Sequence, residues 1–165
     1  MQQTYSKEGF EKQKRVLQAK EIEYQEIRAE RKVAHDLSGD GWHDNPHFNR
    51  LQQLEASKNK EIKELKADLE SAKVIDFSSY LRPTDSIGLG TFVRIEVYYP
   101  EYDTTALYTW EIVCWGETDV NNGKLAYNTP LAQAILGLQI NEETESILPK
   151  GKAYIEIIDI SNVPI

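Results

Sequence analysis

Three aspartates, Asp36, Asp40 and Asp44, fall within the fourteen residues 35–48, together with His35, His43, His47, Trp42, two glycines and an Asn45-Pro46 pair. A plain helix–helix connection is about 2–8 residues long. A longer, acidic, glycine-broken stretch between two helical patterns therefore reads as a functional tip, its carboxylates the groups able to do chemistry. His43 and His47, four apart with Asp44 beside them and His35 upstream, have the residue types of a zinc site. Pro46 and a loop between them argue against the helical pair such a site needs, and the histidines read instead as contact or polar loop residues. A second reading of the same residues is architectural. Asp44 or Asn45 before Pro46 suits a helix N-cap with proline at the first helical position, and Asp40-Gly41 is an ordinary turn pair.

Two elements must carry this tip. Neither residues 10–37 nor residues 48–74 are broken by glycine, and Pro46 lies before the second stretch. Phe48, Leu51, Glu55, Lys58, Ile62, Leu65, Leu69 and Ala72 step by three and four, the seam of a coiled coil. Glu55 and Lys58 interrupt that seam and are expected to weaken packing there. Phe10, Leu17, Tyr24 and Ile27 form a related stripe on the first arm, flanked by Val16 and Ile22. Either arm alone is a marginal helix in water, so an antiparallel hairpin burying both stripes is the economical arrangement. Its reach is about 40 Å, from a rise of about 1.5 Å per residue.

The pattern then changes. Phe92–Tyr99, 106–114 and 153–160 alternate and are rich in β-formers. Pro100 and Asp103 place a hairpin between the first two, and Asn121-Asn122-Gly123-Lys124 is a turn. Thr129 as N-cap, Pro130 as first residue and Gly137 as stop predict a short helix. The fold class is therefore α+β: a helical hairpin over 1–76 with its tip at 35–48, a linker over 77–90, and a small sheet domain over 91–165.

Charge and composition bound the function. Residues 1–75 carry 14 basic and 14 acidic side chains; residues 76–165 carry 5 and 13, so the net charge of −8 belongs to the second half. That half is a poor surface for nucleic-acid backbones, which need Lys and Arg. One cysteine, Cys114, permits no intrachain disulfide and fits a reducing compartment. No apolar run approaches a membrane span and the N-terminus lacks the apolar core of a signal peptide. The expectation is a cytoplasmic protein with no membrane partner.

Several motifs resemble the Gre family of bacterial transcription elongation factors. Ala72-Lys73-Val74-Ile75-Asp76 is similar to the family's exit from its coiled coil, and Gly88-Leu89-Gly90-Thr91-Phe92-Val93 to its entry into the sheet. The longest match runs from Asn122 through Gly123-Lys124-Leu125-Ala126-Tyr127-Asn128-Thr129-Pro130-Leu131-Ala132-Gln133-Ala134-Ile135-Leu136 to Gly137. The resemblance implies an N-terminal antiparallel coiled-coil hairpin followed by an FKBP-like domain that binds RNA polymerase. It implies a monomer that is not itself an enzyme and has no cofactor of its own. The hairpin would enter the polymerase's secondary channel, and tip carboxylates would help hold the Mg2+ of the polymerase active site. The polymerase would then cleave the RNA 3′ end of a backtracked complex. Magnesium is usually held by one or two carboxylates plus phosphate and water, and two-metal hydrolysis needs the second ion stabilised.

The tip is where this chain departs from the family. Anchored on Asn45 and Phe48, Asp44 takes the place of the family's functional glutamate and Gly41 the place of its aspartate, with Asp40 one residue earlier. Anchoring instead on Asp36-Leu37-Ser38 needs an insertion and loses the asparagine and the aromatic. Asp44 and Asp40 are thus the expected metal-side carboxylates, with Asp36 a third. Trp42 either packs back on the hairpin or stacks on a base, and His43, Asn45 and His47 are tip contacts. Arg28, Arg31, Lys32 and Arg50 are either the family's basic patch for RNA or a solvated face partnered by Glu26 and Glu30. Three functions follow: a transcript-cleavage factor, a secondary-channel binder that regulates or inhibits without cleavage, or a prolyl isomerase or chaperone built on the second half. Trp110 and Trp115, which would line an isomerase pocket, fall in strand-like segments and read as core.

Overall fold

The computed structural model describes residues 3–165. It divides into two compact units, the first formed by residue 3 and residues 10–73 and the second by residues 4–9 and 74–165.

In the first unit, α1 (Lys7–Ser38) and α2 (Pro46–Ser71) are joined by a 3-10 helix over Gly39–Asp44. α1 stops because Gly39 takes a left-handed backbone, φ +53°, the conformation that ends many helices and that glycine adopts without a Cβ penalty. Cross-arm ion pairs establish the antiparallel hairpin: Lys20 meets Glu61 at 2.6 Å, Glu23 meets Lys58 at 2.9 Å, and Arg31 meets Glu55 at 2.6 Å. As the residue number rises on one arm it falls on the other.

The apolar seam is short. Phe48, Leu51 and Ile62 are the buried residues of α2, and Phe48 and Leu51 pack with Ala34 and Ile27 near the tip. Packing lapses between Leu51 and Ile62, as the interruptions at Glu55 and Lys58 lead one to expect, but the gap is bridged by charge. Glu55 forms ion pairs with both Arg31 and Arg28, the latter at 3.5 Å. Lys58 holds its proton more tightly than usual because Glu23 hydrogen-bonds it, and Lys20 likewise lowers the Glu61 pKa by hydrogen bonding.

In the second unit, β1 (Thr4–Ser6) pairs with β2 (Lys73–Ile75), and β3 (Phe92–Tyr99), β4 (Thr104–Val113), β5 (Lys124–Ala126), β6 (Glu143–Leu148) and β7 (Gly151–Ser161) form a five-stranded sheet in the order β5-β4-β3-β7-β6. β4 and β5 are parallel and the other neighbours antiparallel. The alternation read along β3 is realised. Val93, Ile95, Val97 and Tyr99 are buried, and Arg94, Glu96 and Tyr98 lie on the opposite face, partly exposed. α3 (Pro130–Ile135) sets Ala132 and Ile135 into the same core. Thr129 caps it by accepting from the Ala132 N–H.

The stretch 77–90, expected as a linker, is packed into this unit. Ile87 is a core residue, and the Gly90 N–H donates to the Ile112 carbonyl. β5 is only three residues long, and β6 alternates in burial but not in residue type, since Ile147 shares the exposed face with Glu143 and Glu145.

Candidate functional site at the hairpin tip

The tip is built on Asn45. Its Oδ1 accepts from the backbone N–H of His47 at 2.9 Å and of Phe48 at 3.4 Å, capping α2, with Pro46 following at the first helical position. Its Nδ2 donates to Ser38 Oγ at 2.6 Å, and Ser38 Oγ donates on to the Ala34 carbonyl at 2.7 Å. One asparagine thus caps the second helix and ties the turn to the last residue of the first. Asn49 closes the loop by donating from Nδ2 to the His43 carbonyl.

Because Asn45 is the cap, Asp44 is not. Asp44 and Asp40 are exposed and neither side chain makes a hydrogen bond or ion pair among the described residues. Asp36 sits differently. It belongs to α1, with Oδ1 3.3 Å from His35 Nδ1. The 3-10 helix has about three residues per turn, so a step of four leaves Asp40 and Asp44 about 120° apart around its axis. Gly41 lies between them, and a Cβ built there meets nothing within 4 Å.

Trp42 packs back on the hairpin. Its ring meets Phe48 edge-on at 5.1 Å, His35 at 5.6 Å and His43 at 5.2 Å, yet 37% of its surface stays open. His47 turns away towards α1, with Nε2 3.2 Å from Glu30 Oε1. The three histidines therefore do not converge. No group of three or more His, Cys, Asp or Glu among the described residues is placed to hold a metal ion.

The basic residues split into two pairs. Arg28 and Arg31 share Glu55, with Arg31 also 5.8 Å over the Phe48 ring. The partner is thus Glu55, not Glu26 or Glu30. Lys32 and Arg50 are exposed and make no ion pair among the described residues. Arg28, Arg31, Lys32 and His35 line, with Phe48, a groove of about 500 Å³. The role of Glu55 was visible in the sequence only as a fault in the seam. The Ser38–Asn45 tie left no signal, because it depends on where the 3-10 turn brings the two together.

In the second unit Trp110 is buried in the core, and Trp115 packs against Tyr127 at 6.4 Å. Residues 82–162 match the family model described as "Transcription elongation factor, GreA/GreB, C-term". A transcription elongation factor GreA from Pelobacter propionicus is 30% identical over 143 residues, covering 81% of this chain and 84% of the relative. The chain belongs to the GreA/GreB family of transcription elongation factors. A GreA from Nitratiruptor sp. is 29% identical over 148 residues, 87% of each chain. Among solved structures, GreA factor homolog 1 (Gfh1) of Thermus thermophilus aligns over 98% of this chain and 99% of its own, at 21% identity and a TM-score of 0.43. Factors of the GreA/GreB family bind RNA polymerase and act through it rather than by catalysis of their own. No helix among the described residues is long and apolar enough to cross a membrane.

Proposed function

We propose that this chain docks on RNA polymerase, inserts its hairpin tip into the secondary channel, and stimulates the polymerase's own cleavage of backtracked RNA. The observation that carries this reading is the division of labour between Asn45 and Asp44. The cap that shapes the tip is supplied by the asparagine, which leaves the neighbouring carboxylate exposed and without a partner among the described residues. A carboxylate used as a cap would be turned inward to backbone N–H groups. Asp44 is instead available as an oxygen ligand, and Asp40 is the second carboxylate on the same turn. In the polymerase, magnesium would supply activation of the attacking water and stabilisation of the leaving oxygen. Asp44 would add an anionic ligand there, and Asn45 with Ser38 would hold the turn in place. The second unit would anchor the factor outside the channel.

A second reading rests on a specific observation. Asp40 and Asp44 do not share a face of the 3-10 helix, and the intervening position is Gly41. A tip with one usable carboxylate would occupy the channel and regulate elongation without cleavage. Adding the purified chain to backtracked complexes separates the two. Release of short 3′ RNA fragments and resumed elongation is the outcome expected of a cleavage factor. Slowed elongation with no fragment release would overturn cleavage in favour of the second reading.

A further inference from the structure

We propose that Trp42 is a stacking platform for an unpaired RNA base, and so a positioning residue beside the tip carboxylates; this rests on the channel-insertion reading above. A tryptophan at the end of a solvated hairpin costs free energy unless its ring is used, and here only part of it is. Phe48 meets it edge-on from a buried position, while His35 and His43 contact it at 5.6 and 5.2 Å. These neighbours fix the ring, yet 37% of its surface faces outward. A ring already held in place loses little rotamer freedom when a flat ligand stacks on it.

The surroundings say what kind of ligand. The groove of about 500 Å³ along α1 is lined by Arg28, Arg31, Lys32, His35 and Phe48; Arg28 and Arg31 share Glu55, and Lys32 makes no ion pair among the described residues, leaving its charge for a phosphate. His35 and Phe48 belong both to that groove and to the ring cluster around Trp42. A basic track leading to a fixed aromatic ring is how proteins hold single-stranded nucleic acid, with backbone on the charges and base on the ring. The carboxylates Asp40 and Asp44, two residues to either side of Trp42, repel phosphate there but not a neutral base. A stacked base would thus sit next to the carboxylates while its phosphates lie along α1. Stacking reads no hydrogen-bond pattern, so the platform would accept any base.

The test uses backtracked elongation complexes whose RNA carries a 3′-terminal 4-thiouridine, irradiated with the factor bound. Polymerase binding is measured separately by competition. The wild-type chain is expected to cross-link to RNA. Trp42→Phe should keep the yield within about twofold, and Trp42→Leu, which retains apolar bulk without a π-face, should lose about tenfold with polymerase binding unchanged. Circular dichroism of the Leu variant checks that the hairpin is intact. Cross-linking by Trp42→Leu at the wild-type level, or no cross-link from a wild-type factor that binds, would overturn the platform and leave the docking reading standing. Failure of the wild-type chain to bind polymerase would overturn both.

Discussion

The hairpin and the sheet unit are stabilised by different physics. In the sheet unit, Val93, Ile95, Ile112, Ile135, Ala153, Ile155 and Ile157 are completely buried in one core. In the hairpin none of Ala34, Phe48, Leu51 and Ile62 is fully buried, and ion pairs bridge the stretch between Leu51 and Ile62. A slender rod of two helices cannot hide much apolar surface. The sheet unit holds its shape by burial; the hairpin holds its shape by charge pairing and one tightly capped turn. The candidate carboxylates Asp40 and Asp44 sit on the second kind of scaffold.

That contrast can be broken at either end. The largest effect should come from Ile155→Ala, which empties a fully buried site on β7, an interior strand paired with β3 and β6. Urea unfolding followed by tryptophan fluorescence should lose roughly 3–4 kcal/mol. A loss under about 1 kcal/mol would mean the core is not where the stability lies. A smaller effect should follow from Glu55→Gln, which leaves Arg28 and Arg31 without their shared partner. The hairpin's helical signal should lose about 1 kcal/mol of stability. About 1 M salt should weaken the wild-type hairpin in the same direction, because it shortens the Debye length to about 3 Å. The sheet transition should not follow, and equal salt sensitivity of both units would contradict the division.

The smallest signal is that of Cys114. Burial, with a lesser contribution from Glu117, pushes its thiol from the usual 9.0 up to about 12. The unfolded chain therefore sheds this proton first as pH rises. The Cys114 contribution is neutral below about pH 9 and becomes increasingly destabilising between 9 and 12. Alkylation at pH 8 should be negligible in the native state and should appear in step with sheet unfolding. Rapid native-state labelling would show that the core opens locally.

Legibility followed the same divide. Strong periodicities were readable: β3 over Phe92–Tyr99 and the helix cap at Thr129 stand where alternation and capping chemistry put them. β5 and β6 were not, since a three-residue strand and one with an exposed isoleucine carry no clean period. Residues 77–90 read as a linker from their proline and glycines, yet Ile87 is buried and Gly90 donates its N–H to the Ile112 carbonyl, joining the segment to the sheet's hydrogen bonding. At the tip, residue types disclosed the candidates but not their division of labour. Asp44 and Asn45 were equivalent as caps on paper. Only the backbone conformation of the turn decides that Asn45 takes the two N–H groups and Asp44 faces outward. Glu55 marks a limit of pattern reading: a charge in a seam is a defect by periodicity and a clasp by geometry.

The central claim is that Asp44 is a free tip carboxylate serving the polymerase's RNA cleavage. The most direct measurement is the rate of fragment release from backtracked complexes by wild type and Asp44→Asn at matched polymerase occupancy. Gly41→Asp, which the open space at that position accommodates, is compared alongside. The account predicts that Asp44→Asn slows release about a hundredfold, a loss of roughly 2.7 kcal/mol of transition-state stabilisation, while Gly41→Asp matches or exceeds wild type. Equal release by wild type and Asp44→Asn would contradict it.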